Sequence, residues 1–494
     1  MKIPKRPLGA IMLTLTLLAM TPTGQACTNL LITCGAALTN SVMICYTCDA
    51  PFASRLAFLK GGKHRPGAIA TYPEMRVRGV TVKQAPQTYG VLLSNGIGHM
   101  NEHQLAIGET TFGGRGGLND ATGLHYADLI TLTLQRAKTA REAIKTIASL
   151  AAEYGYHQSG ESISIGDTKE AWIMEIIGNG KSKKGIVYVA VRVPDGYISC
   201  HANQARIGEF PRDDPANCLY SPDVEEVAIE HGFYDPASGK PFHFADAYHP
   251  ASARTQKGCA MRVWSMLRRA APSLNLSPDY HRAVAGAERY PLWVKPDRKL
   301  STQDVFYLLR DHYEGTAFDM TQGAGAGAYG SPYLKGGERA ISIKGTVFSI
   351  VTQSRADLPD PVGGIVWYSP DDTYFSCYTP LYCGTQTVPE PYTICDKQQF
   401  TWDSAWWTIN YVANYANLRY ADMARDILQK QREIEDAFIA RQPIFEKQAA
   451  ELYAKDPEAA RRLVTEYTVE SGETLIKSWR QLADSLIVRY NDRR

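Results

Sequence analysis

The chain has 494 residues, more than most single domains, so it forms either one large elaborated domain or two closely associated ones. Hydrophobic residues make up 44% and charged residues 21%, an ordinary globular composition that argues against a disordered protein. The net charge of +2 gives no argument for nucleic-acid binding or for electrostatic attachment to a membrane.

The N-terminus has the pattern of a secretory signal peptide. A basic start precedes a mostly apolar run at 8–20, and Gly24 and Ala26 occupy the positions that a signal peptidase reads. The run is shorter than the roughly 20 residues that cross a bilayer. We therefore expect residues 1–26 to be removed, Cys27 to become the first residue, and the mature protein to be extracytoplasmic, either periplasmic or secreted. The alternative is an anchor that is never cut.

Short strands and helices follow in an order that predicts an α+β fold. The predicted strands are 30–32, 41–48, 89–93 and 105–111, then a hairpin over 161–177, two strands over 185–206, and strands over 340–353 and 364–378. The predicted helices are 127–154, 251–271, 301–312 with Ser301 as N-cap, and nearly all of the chain after 400, with a last segment beginning at Asp456-Pro457. We expect a body at 27–399 with a helical C-terminal region at 400–494 packed on it.

Cys27 would carry a thiol and a free α-amine on one residue after cleavage. The ordinary pKa of the amine is about 8 and that of the thiol about 8.5, so the amine can accept the thiol proton near neutral pH. One residue then supplies nucleophile and general base for attack on an amide, through a thioester that water cleaves. Two alternatives are lipidation of Cys27, which calls for an aliphatic residue where Gly24 stands, and a structural disulfide.

A series of short sequence blocks runs through nearly the whole mature chain. They are 27–32 (CTNLLI), 38–41 (LTNS), 48–49, 99–103 (HMNEH), 106–110 (AIGET), 167–175, 201–207 (HANQARI), 262–264 (RVW), 353–355 (QSR), 358–359, Trp367 and 378–382 (YTPLY). In this order they resemble the cysteine dipeptidases of peptidase family C69, which are similar to secernins and more distantly to penicillin V acylase and bile-salt hydrolase. The resemblance implies the four-layer αββα fold of the N-terminal-nucleophile hydrolases over 27–399 and hydrolysis of dipeptides or short peptides.

The same resemblance implies roles for five residues. Cys27 matches the nucleophile, and Asp49 matches an acid that holds the mature terminal group. Asn101 and Asn203 match side-chain donors to the oxyanion of the tetrahedral intermediate. Arg262 matches an active-site arginine. The alternatives are turn or cap roles for the acid and the two asparagines, and a solvated helix face for the arginine.

One position departs from the pattern of the family. The acylases that the family resembles, and many of the dipeptidases, carry an arginine three residues before the acid that matches Asp49, and Tyr46 stands there in this chain. If that arginine stabilises the thiolate, this protein does so by other means or does without.

A dipeptide brings an ammonium and a carboxylate, and burying either unpaired is costly. The candidates to receive the ammonium are Glu102, Asp167 and Glu175, and those to receive the carboxylate are Arg206 and Arg262. Glu175 equally suits the solvent face of its hairpin.

Cofactor motifs do not occur in the sequence. The glycine/alanine loop at 323–330 lacks the Gly-Lys-Ser/Thr of a phosphate loop, and no His-Glu-x-x-His or zinc-spaced Cys/His cluster is found, so we expect no cofactor and no metal. The expected partners are dipeptides or short peptides, with no nucleic acid, no membrane span, and a homo-oligomer left open. Cys377 and Cys383 are candidates for a disulfide.

Two rival functions remain beside the exported cysteine dipeptidase. The first is an amidase or acylase of the same fold that acts on N-acylated compounds. The second is a lipid-anchored surface binding protein without enzymatic activity, in which a diacylglycerol on Cys27 would block the chemistry.

Overall fold

The structure, a computed structural model, describes residues 27–181, 183–333 and 338–491. The predicted signal peptide, residues 1–26, lies outside the described residues.

Most strands are rich in β-branched and aromatic residues, which pack well on a pleated surface. The strands are β1 Thr28–Ile32, β2 Met43–Asp49, β3 Leu56–Leu59, β4 Gly62–Lys63, β5 Gln87–Thr88, β6 Val91–Ser94, β7 Ile97–Asn101, β8 Ala106–Gly113, β9 Gly160–Gly166, β10 Ala171–Gly178, β11 Ile186–Arg192, β12 Ile198–His201, β13 Cys218–Tyr220, β14 Trp293–Val294, β15 Thr346–Gln353, β16 Ile365–Pro370 and β17 Thr379–Tyr382.

Helices are interspersed among the strands and then form a continuous series at the C-terminal end. They are α1 Tyr126–Leu134, α2 Ala140–Tyr154, α3 Glu226–Glu230, α4 Phe244–Tyr248, α5 Ala253–Thr255, α6 Met261–Ala270, α7 Thr302–Leu309, α8 Asp360–Gly363, α9 Glu390–Thr393, α10 Ala405–Ala416, α11 Tyr420–Tyr453 and α12 Pro457–Arg489. Ser301 caps α7 and Asp456 caps α12, as the sequence predicts.

Two large antiparallel sheets stack face to face. The first has seven strands in the order β14-β12-β1-β2-β15-β16-β17, and the second has eight in the order β13-β11-β10-β9-β8-β7-β6-β3. Contacts of β1 and β2 with β8 and β9 join the two sheets. The core therefore lies between the sheets, and the first residues of β1 are buried in it.

A glycine lets the sheets approach closely where β1 and β2 meet β8. A Cβ atom at Gly108 would lie 2.5 Å from Oδ1 of Asn29 and 3.2 Å from Cβ of Tyr46. The first of these distances is too short for any side chain, so a residue larger than glycine would push the strands apart. This contact brings the chain just before β1 against the middle of β8.

Helices cover the outer sides of both sheets. Helices α1 and α2 pack on the second sheet, while α6, α7 and the C-terminal helices pack on the first. Helix α2 shows why: Ala143, Ile144 and Ile147 lie on one buried face, spaced to meet a flat sheet. The predicted α+β class is confirmed.

Two buried ion pairs attach α11 to the strand-rich body. Arg310 makes a two-bond pair with Glu435 at 2.6 and 2.9 Å, and Arg355 makes another with Glu446 at 2.7 Å for both bonds. All four side chains are at most 8% exposed. The C-terminal helical region, called the tail below, thus contacts the strand-rich body through specific polar contacts as well as apolar packing.

Three predicted features differ in the structure. The helix expected over 127–154 is two helices, because Thr139 ends the intervening turn and caps α2. The strand expected over 364–378 ends at Pro370, where Asp371 adopts a φ of 64° that a strand cannot continue. Cys377 and Cys383 are both buried free thiols on opposite ends of β17, whose extended backbone separates them beyond disulfide reach.

None of the helices in the described part of the chain combines the length and the apolar character that crossing a bilayer takes.

Candidate functional site

The first strand pair places Cys27 against the second sheet. Antiparallel pairing joins Asn29 to Tyr46, so Cys27, two residues before Asn29, lies diagonally across from Tyr46. The residue is only 1% exposed. Its Sγ lies 3.8 Å from Oη of Tyr46 and 3.9 Å from Oε1 of Glu109 on β8. A thiol is thus surrounded by a phenol and a carboxyl group.

Arg262 connects Cys27 to the turn after β12. It lies at the start of α6, directly after the π-helical turn Gln256–Ala260, and is 1% exposed. Its Nη1 donates to the Cys27 carbonyl oxygen at 2.6 Å, and its Nη2 donates to Oδ1 of Asn203 at 2.9 Å. The alternative that Arg262 occupies a solvated helix face is wrong, because its guanidinium is buried and donates to Cys27 and Asn203.

Asn203 adopts a left-handed backbone conformation, with a φ of 55°. Asparagine tolerates this region better than most residues, which favours Asn in the turn after β12. Its Nδ2 donates to the Thr111 carbonyl oxygen at 2.7 Å. Asn203 therefore joins the end of β8 to the Arg262 guanidinium.

Asp49 lies at the end of β2, buried beside the same group of residues. Its carboxylate accepts a hydrogen bond from Oγ1 of Thr346 at 2.7 Å and is paired with Arg339. Burial raises the pKa of this carboxyl, and the two partners oppose that shift. The charge of Asp49 also raises the pKa of the Cys27 thiol, so the two groups are electrostatically linked.

The surroundings of Cys27 favour the neutral thiol. A hydrogen bond with the Cys48 thiol, burial, and the charge of Glu109 raise the pKa of Cys27 well above its ordinary value. The thiolate is the reactive form of cysteine. Attack by this sulfur therefore needs a nearby group that takes its proton.

A cleft of about 600 Å³ opens beside Arg262 and Asn203. This volume falls within the roughly 300–1,000 Å³ of small-molecule sites. The other lining residues are Thr111, Phe112, Gly113, Tyr126, Gln158, Ser252, Arg254, Thr255, Gly258, Cys259 and Arg339. Three are thus arginines, and no carboxylate is among the described lining residues. Another hollow of about 700 Å³, between residues 315 and 325, contains none of the groups that contact Cys27.

Asn101 is not brought to Cys27, contrary to expectation. Its Nδ2 donates to the carbonyl oxygens of Leu134 and Ala137 at 2.7 and 2.8 Å. Its Oδ1 accepts the backbone N–H groups of His103 and Leu105. The amide has two donor hydrogens and one acceptor oxygen, and all are used to hold the turn after β7. It is a buried turn residue in this fold.

Glu102 and Asp167 are likewise engaged away from Cys27. Glu102 accepts the Gly90 N–H at 2.8 Å and pairs with Arg461 of α12 at 3.1 Å. Asp167 accepts the N–H of Ala140 at 2.8 Å, at the start of α2. An acid at a helix N-terminus satisfies donors that the helix leaves free. Both carboxylates therefore have partners within the fold, away from Cys27.

Glu175 and Arg206 also serve the local structure. Glu175 is buried rather than solvent-facing, and its two oxygens accept the N–H groups of Arg206 and Ile207 at 2.5 and 3.1 Å. Burial raises the pKa of Glu175 to about 7 despite these bonds. The Arg206 guanidinium donates to backbone carbonyl groups, including that of Pro291 at 2.6 Å. Its donors are occupied by the segment before β14, so a substrate carboxylate has no access to them.

The sequence alone did not single out Glu109, Arg339 or Arg254. Glu109 lies in the recognised block at 106–110, but nothing local distinguishes it from an exposed strand acid. Arg339 and Arg254 are far from Cys27 in sequence and lie in loops or short helical turns. Among residues 27–181, 183–333 and 338–491, no group of His, Cys, Asp and Glu side chains has the arrangement that holds a metal ion.

Comparison with known proteins agrees with the blocks found in the sequence. A sequence model of peptidase family C69 matches residues 26–433. A probable dipeptidase B of Streptococcus pyogenes serotype M1 is 25% identical over 370 residues, 74% of this chain and 70% of the relative. A probable dipeptidase A of the same organism is 26% identical over 308 residues, 62% and 61% of the two chains. A probable dipeptidase of Salmonella dublin is 28% identical over 299 residues, 59% and 64%.

Proposed function

This chain belongs to peptidase family C69, and from that premise we propose that it is an exported cysteine dipeptidase whose mature form begins at Cys27. The observation that carries the proposal is the Cys27 thiol, which is enclosed by polar groups and is joined to the arginine-lined cleft through the bond from Arg262, a lining residue, to the Cys27 carbonyl oxygen. The pattern of residues 1–26 supports export to the periplasm or the exterior.

The proposed reaction begins with attack of the Cys27 sulfur on the substrate carbonyl. The S–C bond forms, the carbonyl π pair moves to oxygen, and the thiol loses its proton. Collapse breaks the C–N bond, the leaving nitrogen takes a proton, and a thioester remains for water to cleave. As the sequence indicates, the terminal amine of Cys27 is the first candidate to accept the thiol proton. Asn203 is the proposed oxyanion donor, since its amide lies at the wall of the cleft.

Arg262 and Asp49 have supporting roles in this proposal. Arg262 holds the Cys27 carbonyl and the Asn203 side chain in place through the bonds described above. Asp49 would hold the terminal amine and favour its positive form. The stacked sheets with helices outside them support the four-layer N-terminal-nucleophile hydrolase fold as the framework for this arrangement.

A second candidate function is favoured by the charge of the cleft. Its described lining contains three arginines and no acid, so it suits a carboxylate better than an ammonium group. An amidase that acts on N-acyl amino acids would present a carboxylate without an ammonium. The dipeptidase remains the first proposal because the named relatives are probable dipeptidases.

Paired substrates test the choice between these two functions. The purified mature protein should hydrolyse free-amine dipeptides, and N-acetylation of the same dipeptides should lower kcat/KM. Liberated amino acids are measured for each matched pair, with the Cys27→Ser variant as the blank. Exclusive turnover of the N-acylated member would overturn the dipeptidase assignment in favour of the amidase.

Arg254 is the expected site for the substrate carboxylate. It is exposed, lines the cleft, and has no hydrogen bond or ion pair with a described residue. Replacing Arg254 by Gln should raise KM for dipeptides by about tenfold with little change in kcat, because a charge-assisted hydrogen bond is worth about 1.5–3 kcal/mol before solvent screening. The measurement is steady-state kinetics at constant ionic strength.

Two controls accompany the Arg254 measurement. Arg65→Gln removes another exposed arginine outside the cleft lining and should leave KM unchanged. Dipeptide amides lack the carboxylate, so Arg254→Gln should not raise KM for these amides. An equal rise in KM for the dipeptides and for the dipeptide amides would show that Arg254 does not bind the substrate carboxylate.

A further inference from the structure

The Cys27 thiol, Tyr46 and Glu109 form one line of hydrogen bonds, and a second buried glutamate, Glu161, lies beside Glu109. Cys27 donates to Oη of Tyr46 across 3.8 Å, and Tyr46 donates to Oε1 of Glu109 across 2.5 Å. Glu161 is buried on the neighbouring strand beside Glu109, and its Oε1 accepts from Thr111 at 3.0 Å. The donors point in one direction, from the sulfur to the acid pair.

The pairing of β8 with β9 explains why the two acids meet. Glu109 lies opposite Ile163, and Thr111 lies opposite Glu161, so the glutamates are diagonal neighbours on one face. Both are 0% exposed, and the Oε2 atom of neither accepts a bond from a described donor. Two buried carboxylates in contact would repel each other, and one proton between them removes the repulsion.

The bonds around the two glutamates favour the negative charge on Glu109 and the shared proton on Glu161. Burial and the neighbouring Glu109 charge raise the pKa of Glu161 well above its ordinary value. Burial also raises the pKa of Glu109, but hydrogen bonds from Tyr46 and Glu161 oppose that shift. The hydroxyl of Tyr46, which donates to Glu109 at 2.5 Å, makes Glu109 the favoured carboxylate of the pair and Glu161 the favoured neutral acid. The other titratable groups that act on the pair or on Tyr46 are Cys27, Cys48, Arg76, Tyr126 and Tyr156.

We propose that Tyr46 passes the proton of the Cys27 thiol to Glu109 as the sulfur attacks the substrate, an inference that rests on the proposed role of Cys27 as nucleophile. As the S–C bond forms, the thiol proton moves to the Tyr46 oxygen and the phenol's own proton moves to Glu109. Tyr46 ends unchanged, Glu109 becomes neutral, and the negative charge passes to the substrate oxygen. When the C–N bond breaks, the Tyr46 hydroxyl gives its proton to the leaving nitrogen and Glu109 returns a proton to the Tyr46 oxygen, since the sulfur is then bonded to the acyl carbon.

This path differs from proton acceptance by the terminal amine. A buried carboxylate with a raised pKa is a better proton acceptor than an ordinary one, and efficiency is greatest when the acceptor's pKa is near the working pH. The relay also leaves the terminal ammonium free to pair with Asp49. The two acceptors predict different effects of substitutions at residues 46 and 109.

Tyr46→Phe and Glu109→Gln are the direct tests, because each removes one member of the relay with little change in shape. Both should lower kcat by at least about a hundredfold while KM changes little, the size expected for loss of a positioned acid or base. Glu161→Gln keeps a donor to Glu109 and should lower kcat by less than about tenfold. Tyr248→Phe is the control, since it removes a buried phenol outside the relay, whose hydroxyl donates to the Val224 carbonyl oxygen at 2.6 Å.

The pH profile of kcat/KM separates a relay from a structural role. In the wild type the rate should fall as the pH drops through the pKa of Glu109, because the acceptor must be ionised. In Glu109→Gln this fall should be replaced by a fall in kcat/KM below a pH of about 8, where the terminal amine becomes protonated. Thermal unfolding confirms that each variant is folded, and Tyr46→Phe keeps the test decisive if Glu109→Gln does not fold.

The outcomes are distinct. If folded Tyr46→Phe and Glu109→Gln keep kcat within a few fold and retain the acid limb, the relay is overturned and the amine is the base. If Glu161→Gln lowers kcat as much as Glu109→Gln does, the assignment of the proton within the pair is wrong. Failure of the nucleophile itself would appear separately, as turnover that survives Cys27→Ser.

Discussion

Cys27→Ser should lose at least about a thousandfold in kcat while the protein stays folded. The oxygen that replaces the sulfur is similar in size but far harder to deprotonate in a buried site, and removal of a nucleophile eliminates the covalent path altogether. Liberated amino acids from a dipeptide give the rate, and circular dichroism checks the fold.

The matched control for this substitution is Cys395→Ser, which changes a half-buried free thiol outside the site and should keep full activity. Mass spectrometry of the mature N-terminus completes the test. A chain that starts at Cys27 with an unmodified amine supports the proposal. Near-wild-type rates in Cys27→Ser, or an active protein with a diacylglycerol or any other cap on that residue, would refute it.

Glu446→Ala should destabilise the fold strongly, lowering the free energy of unfolding by about 3–5 kcal/mol. It leaves the Arg355 guanidinium buried without its carboxylate partner, and breaking a buried pair on one side costs about this much. Tyr382 also loses the hydrogen bond from its hydroxyl to Glu446 at 3.0 Å. Guanidinium-induced unfolding gives the shift, and limited proteolysis should cut first in α11 or α12.

Two further variants show whether the unpaired charge is the cause. Arg355→Met combined with Glu446→Leu removes both charges and should recover most of the lost stability. Glu470→Ala removes an exposed pair with Arg441, at 3.6 Å, and should cost less than about 1 kcal/mol. If Glu446→Ala were as mild as Glu470→Ala, the buried pair would not anchor the tail.

Local patterns predicted much of the fold. The hairpin over 161–177 appears as β9 and β10, because alternation of apolar residues over a short segment of sequence specifies a strand regardless of its partners, although every residue of these two strands is buried. The caps at Ser301 and Asp456 were readable for the same reason, since a capping side chain bonds a backbone group three residues away. The break before α2 was missed, because its apolar spacing continues that of α1.

The site was predictable only where a role depends on one residue and its immediate neighbours. The sequence indicated Cys27 as a candidate nucleophile and marked Tyr46 as a departure from the relatives. It assigned Glu102, Asp167, Glu175 and Arg206 to the substrate, yet each satisfies backbone groups or another part of the fold. Residue type indicates what a side chain can bind, and several partners in a folded chain compete for it.

Sequence by itself determined the family, the α+β class and the choice of Cys27 as the candidate nucleophile, since these follow from short-range patterns and from ordered blocks. Only the tertiary structure decided that Tyr46 and Glu109 meet at the sulfur while Asn101 is engaged elsewhere. The physical reason is that Glu109 is 82 residues from Cys27, and their contact depends on strand register and on how closely two sheets stack. Neither quantity is encoded in the residues of any one segment.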